Sequence, residues 1–162
     1  MECPIARAVD EIGDAWSLLI LREAFKGART FSDFEAHLPI APTTLTRRLD
    51  ALASRKFFRR RAYQSNPTRH LYEATTKALE LMPILLALGS WGNRWLAPKG
   101  ALLDIVDPKS GHAMDVAVVD RRTGKPLRPG YVALTAGRGA KKRTRELLRS
   151  PLVLGAISLS SK

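Results

Sequence analysis

Residues 30–72 read TFSDFEAHLPIAPTTLTRRLDALASRKFFRRRAYQSNPTRHLY, and the order of signals in this stretch decides the fold. Ser32 followed by Glu35 has the spacing of a capping box and predicts a short helix beginning there. Leu38 closes that helix and Pro39 stops it, because proline has no backbone N–H to continue the ladder. Pro42 restarts a helix at its first position, where a missing N–H costs nothing. Leu45, Leu49 and Leu52 share one face of this second helix, while Thr43 and Arg47 project from the other. Residues 57–63 and 69–72 then read as two strands, joined by Ser65-Asn66-Pro67-Thr68 with Asn66-Pro67 at the tip. Helix, turn, exposed polar helix and arginine-rich hairpin in this order predict a winged helix-turn-helix.

The charge distribution agrees. The 162 residues carry 27 Lys and Arg against 15 Asp and Glu, a formal charge of +12. A basic chain of this size suits nucleic acid, an anionic membrane or an acidic partner equally well. Position narrows the choice: between Arg47 and Arg61 stand seven basic residues and one acidic one, on the reading helix and the wing. The N-terminus, Met1-Glu2-Cys3-Pro4, lacks the basic segment of a secretory signal, and no apolar run approaches the ~20 residues of a membrane span. One cysteine excludes an internal disulfide framework. A cytoplasmic setting is expected, with no membrane partner.

The flanks add helices. Ile5, Ala8, Val9 and Ile12 repeat at helical spacing, and Gly13 supplies a stop. Asp14 is placed to cap the next helix, which is apolar nearly all round through Trp16, Leu18, Leu19, Ile20, Leu21, Ala24 and Phe25 and should be central. Thr75 is expected to cap a long helix running to Leu96, with Pro83 bending it or lying in its first turns. A small domain cannot bury both apolar sides of such a helix. A homodimer formed through the first helix and this last one is expected, the alternative being intramolecular packing. Three segments follow: residues 1–97 as the main domain, 98–139 as a small β-hairpin extension and 140–162 as a basic tail. Residues 102–106 and 115–119 look like strands, and residues 141–149 are either a short helix or a disordered arm. Residues 98–162 hold 13 basic against 5 acidic residues, so they supply +8 of the total charge.

At Cys3-Pro4, Ile12-Gly13, Trp16, Leu19-Ile20-Leu21-Arg22 and Gly27 the chain resembles the HxlR-type winged-helix transcriptional regulators, relatives of the MarR group. Phe31, Leu38, Pro42, Leu45, Arg48-Leu49, Leu52, Arg60-Arg61, Tyr63, Pro67, Tyr72, Thr75 and Trp91 continue the match over about residues 3–97. The chain departs from the family at three places. Ala41 stands where the family usually has an N-cap Ser, Lys56 replaces a Gly before the wing, and Ala78 replaces a Gly after Thr75. The extension resembles a small zinc-ribbon hairpin found in a subset of such regulators, whose knuckle cysteines correspond here to Ser110 and Thr123. Without thiolates at those positions a metal-free remnant is expected, and no cofactor. The resemblance also implies that Cys3 is a redox-sensing thiol; the competing reading is an inert thiol at the dimer seam.

The expected function is sequence-specific binding of double-stranded DNA by a homodimer on a pseudo-palindromic operator. In a helix-turn-helix the second helix enters the major groove, which puts Thr43, Thr44 and Arg47 at base edges with Thr46 and Arg48 at the sides. Arg47 either pairs with guanine or touches phosphate. Arg59, Arg60, Arg61 and Arg69 divide between duplex-facing and solvated positions by strand alternation. The rival classes are a winged helix for RNA or protein, and an enzyme. No Gly-rich phosphate loop, paired catalytic carboxylates or nucleophile–base pattern supports the last. Operator, direction of regulation and small-molecule effector are left open.

Overall fold

A computed structural model of the chain describes residues 2–155. Two compact units emerge, Ile5–Ile105 and a second formed by Met1–Pro4 with Val106–Lys162. The first contains α1 (Pro4–Ile12, whose first residue belongs to the other unit), α2 (Ala15–Phe25), α3 (Phe31–His37), α4 (Pro42–Ser54), β1 (Phe58–Ser65), β2 (Thr68–Ala74), α5 (Thr76–Leu79) and α6 (Met82–Leu96). The second contains β3 (Val132–Leu134), α7 (Lys142–Leu147) and β4 (Leu152–Leu154). The fold is mainly helical with a β-wing. No described helix is long and apolar enough to cross a membrane.

α2 lies at the centre, as its apolar surface predicts, with Ile20 and Leu21 fully buried. Asp14 caps it, accepting a bond from Ser17 N at 3.0 Å. Its two buried polar residues, Ser17 and Glu23, were hidden by that apolar surface. Glu23 is satisfied by Arg22 Nε at 2.7 Å and Lys26 Nζ at 3.0 Å, with His37 of α3 3.7 Å away. Burial pushes the Glu23 carboxyl up, but the bonds from Lys26 and Arg22 outweigh it and hold the pKa below the usual value.

The capping box at the head of α3 sits two residues earlier than the Ser32–Glu35 spacing suggests. Thr30 is the N-cap and Asp33 the reciprocal partner: Asp33 N donates to Thr30 Oγ1 at 3.2 Å and Thr30 N donates to Asp33 Oδ2 at 2.8 Å. Both frames satisfy the spacing rule. Thr30 prevails because its backbone is already tied to the wing through a bridge to Leu71. α4 buries Leu45, Leu49 and Leu52 completely, as expected, and begins with Pro42 and no side-chain cap at Ala41.

The single helix expected from Thr75 to Leu96 is two helices, α5 and α6. The Thr75 hydroxyl does not cap; it donates toward the Lys56 and Phe57 carbonyls, at 2.7 and 3.1 Å, and fastens the wing to the end of α4. Pro83 falls in the first turn of α6 rather than bending its interior. Beyond α6, Asn93 receives the Leu102 N–H at 3.1 Å and donates to the Leu103 carbonyl at 2.7 Å, carrying the first unit past Pro98.

The strands expected at 102–106 and 115–119 are reduced to isolated bridges in the second unit, Val106 to Ala113 and Val119 to Pro126, and residues 102–105 remain with the first. Each bridge closes a copy of one turn. Asp107 Oδ1 accepts from Lys109 N and Ser110 N, and Asp120 accepts from Arg122 N and the Thr123 hydroxyl. The Ser110 and Thr123 hydroxyls are thus spent on carboxylates, a poor fit to zinc. Among the described residues no group of three or more His, Cys, Asp or Glu is arranged to hold a metal ion. Within residues 141–149 the helix α7 forms, and the β3–β4 pair was not anticipated.

Lys56 is the one described non-glycine residue with positive φ, at 63°. Its N–H donates to Ala53 O while Phe57 N donates to Leu52 O at 2.9 Å, the paired bonds of a Schellman stop for α4. The left-handed backbone at this position favours glycine. Lys56→Gly should therefore raise stability by about 1 kcal/mol, less whatever glycine gains in unfolded freedom. Urea unfolding checks this, and a lower midpoint for the glycine variant would contradict it.

Candidate nucleic-acid interface

The exposed face of α4 presents Thr43, Thr46 and Arg47, with Thr44 and Arg48 half-buried at its sides. The Thr46 hydroxyl is already engaged, donating to Pro42 O at 3.0 Å. Arg48 turns away from this face: its Nη2 pairs with Asp14 Oδ2, and its buried Nε has no hydrogen-bond partner among the described residues. Arg48 thereby braces α4 against the capped start of α2.

The wing arginines are distributed by the hairpin register. Arg59 stands opposite Glu73, and Arg60 opposite Tyr72. Arg59 makes two bonds to Glu73 Oε2, at 2.9 and 2.7 Å, while Arg61 Nε approaches Glu73 Oε1 at 3.4 Å. First Arg59 and then Arg61 hold the Glu73 carboxyl below its usual pKa. Arg60 Nη1 reaches across to α4 and bonds Asp50 Oδ1 at 2.8 Å. Burial, and then the Asp50 carboxylate, push the neighbouring Tyr72 phenol up. Among the described residues Arg47 and Arg69 have no carboxylate partner. Both are exposed.

Sequence reasoning named the arginines and missed the acids that occupy them. Asp14, Asp50 and Glu73 carry no motif. Folding the two strands evenly about Asn66-Pro67 would put Glu73 opposite Arg60; the extra residue at Tyr63 shifts the register by one and brings it opposite Arg59 instead. Cys3 is half-buried immediately before α1 and lies in the second unit, where Glu2 Oε2 accepts a bond from the Thr144 hydroxyl at 2.8 Å. Away from the reading face, α1 and α6 leave apolar side chains uncovered, with Ile5 76% and Trp95 69% exposed and Val9, Leu88 and Trp91 each more than half exposed.

Comparison with known proteins gives this arrangement its relatives. The family model for HxlR-like helix-turn-helix proteins matches residues 11–100. The uncharacterized HTH-type transcriptional regulator Rv3095 of Mycobacterium tuberculosis is 32% identical over 140 residues, covering 86% of this chain and 89% of the relative. The uncharacterized HTH-type transcriptional regulator sll1512 of Synechocystis is 39% identical over 95 residues, covering 58% of this chain and 70% of the relative. Among solved structures, a candidate transcription factor of Pseudomonas aeruginosa, PA1374, superposes with a TM-score of 0.65 at 35% identity, over 90% of this chain and all of that one. The redox regulator HypR in its reduced form covers 58% of this chain and 96% of its own, at 28% identity and a TM-score of 0.53.

The Asp14–Arg48 pair is open to a double-mutant cycle. Asp14→Ala should cost about 1 kcal/mol for the lost cap alone. It should cost more in the presence of Arg48 than in an Arg48→Ala background, with a coupling of about 0.5–1 kcal/mol for a half-exposed pair. Additive losses in urea unfolding would show that the brace contributes nothing.

Proposed function

Because this chain belongs to the HxlR-like helix-turn-helix family of transcriptional regulators, we propose that it recognises duplex DNA as a homodimer on a pseudo-palindromic operator. The observation that carries this reading is the exposed Arg47, without a carboxylate partner among the described residues, on a helix whose other face is anchored by three buried leucines. Arg47 has the length and the fork of donors to meet guanine O6 and N7, and the Thr43 and Thr44 methyls and hydroxyls lie beside it for thymine methyls or phosphate. Arg69 supplies unbalanced charge to the backbone from the wing. Arg59, Arg60 and Arg61 contribute to the positive field while their heads are shared with Glu73 and Asp50. Thr46 and Arg48 flank the reading surface, Arg48 chiefly as a brace.

The uncovered apolar faces of α1 and α6 support the homodimer. Leaving two tryptophans and several aliphatic side chains in water forgoes roughly 25 cal/mol per Å² of burial, which a second copy recovers. A two-fold pair presents two α4 helices, and a spacing of ~34 Å would meet successive major-groove faces.

In a titration against selected operator fragments, Arg47→Ala should lose about 1–3 kcal/mol of discrimination at one base pair, whereas Arg60→Ala should weaken all sequences alike. Unchanged affinity and preference in both variants would remove α4 as the reading helix. Sedimentation should give a dimer for the wild type and a monomer for Trp95→Glu, since a charge cannot be buried unpaired in the seam. A monomeric wild type at micromolar concentration, with or without DNA, would overturn the dimer.

A further inference from the structure

Between the start of α3 and the wing lies a cleft of about 340 Å³, lined by Phe31, Ser32, Tyr63, Thr68, Arg69 and His70. Tyr63 is there because of a β-bulge. Ala62 pairs with His70 and Gln64 with Arg69, so Tyr63 is the extra residue and its side chain is re-aimed. Thr68 Oγ1 donates to Ser65 O at 3.1 Å and fixes the adjoining tip. With Tyr72 completing it, the lining brings together a guanidinium, an imidazole and four hydroxyls, and no carboxylate. Among the described residues the Ser32, Tyr63, Arg69 and His70 side chains make no hydrogen bond or ion pair.

The contrast with the larger recess of about 550 Å³ beside α2 is informative. That one holds Arg22, Lys26 and His37, but also Glu23 and Asp33, so its cations are already balanced from within. Of these two, it is the α3–wing cleft that combines uncommitted donors with unopposed positive charge. An apolar ligand would strand those donors, and a cation would meet Arg69. The fitting guest is an oxyanion.

We propose that this cleft seats a phosphodiester of the duplex backbone, where the strand crosses from the groove read by α4 toward the wing tip. Arg69 supplies charge-assisted bonds, the Ser32 and Tyr63 hydroxyls donate to the remaining phosphate oxygens, and the His70 imidazole closes the side next to Arg69. This assignment rests on the DNA-binding reading above and adds Ser32, Tyr63 and His70 to it as binding residues.

The test uses the full chain and a fluorescent mixed-sequence duplex, with affinity followed over a range of KCl concentrations. Arg69→Ala should flatten the slope of log affinity against log salt by ~0.9 per chain, the signature of one lost phosphate contact. Ser32→Ala/Tyr63→Phe leaves the charge intact and should weaken binding about tenfold, as when hydrogen bonds to a charged group are lost. Thermal unfolding of both variants should match the wild type, because every altered group is uncommitted in the folded chain. Wild-type slope and affinity in both variants, with Arg47→Ala still impaired, would overturn the cleft and leave DNA binding standing. A wild type that binds no duplex would overturn both. Inorganic phosphate titrated without DNA separates the remaining source. If it stabilises the wild type but not Ser32→Ala/Tyr63→Phe, while the two bind duplex equally, the guest is a free phosphate and the backbone assignment falls.

Discussion

Three rings, Phe34 of α3, Phe58 of β1 and Tyr72 of β2, meet at centroid separations of 6.1 to 6.3 Å with tilted and edge-on faces. Edge-to-face packing of this kind has a preferred geometry as well as a large buried area. It therefore fixes angles where aliphatic contacts alone would permit sliding. Phe34 holds the first helix of the helix-turn-helix, Phe58 the strand leaving α4, and Tyr72 the returning strand. The relative setting of the two helices and the wing is decided at this point. Everything proposed for the reading surface depends on that setting, because Arg47 and Arg69 sit on different elements and must present their charge to one ligand.

A second constraint joins the far end of α4 to α1. Arg55 Nη1 donates to Glu11 O at 3.0 Å, and Lys77 of α5 bonds Glu11 and the Arg55 carbonyl while lying 4.4 Å from the Phe57 ring centroid. With the Asp14–Arg48 brace, α4 is held at mid-length and at its C-terminus by polar contacts and along its length by leucine packing. Its N-terminal turn, capped by no side chain, is left to face outward. Rigidity at the rear and a free front are what groove insertion requires, because ordering costs are met in advance.

Much of this was legible in the sequence because the governing signals are local. Proline at a helix start, leucines at helical spacing, an Asp before α2 and a turn at Asn66-Pro67 each act within a few residues, and those elements formed where expected. The failures have a different origin. The Thr30 cap prevailed over Ser32 through a strand bridge from Leu71, 41 positions away in sequence. Thr75 was drawn from helix capping to carbonyls at Lys56 and Phe57. The arginine-rich strand read as free charge, yet most of that charge is paired by acids brought close only by folding. Lys56 was visible as a departure, but its cost became clear only once its φ placed it in the left-handed region.

The two aspartate-closed turns of the second unit bear on what kind of environment can dismantle it. A knuckle held by thiolates and a metal is sensitive to chelators and oxidants, and it withstands mild acid until the ligands protonate. Here the Asp107 and Asp120 carboxyls accept the bonds that close each turn. Those bonds, from Ser110 N and from Arg122 N foremost, hold both pKa values below the usual range. A carboxyl depressed in the folded state contributes stability above its ordinary pKa and loses it as the pH falls through the lower folded value. The two turns of this chain are closed by carboxylates that accept hydrogen bonds, and strong acid is what loosens them.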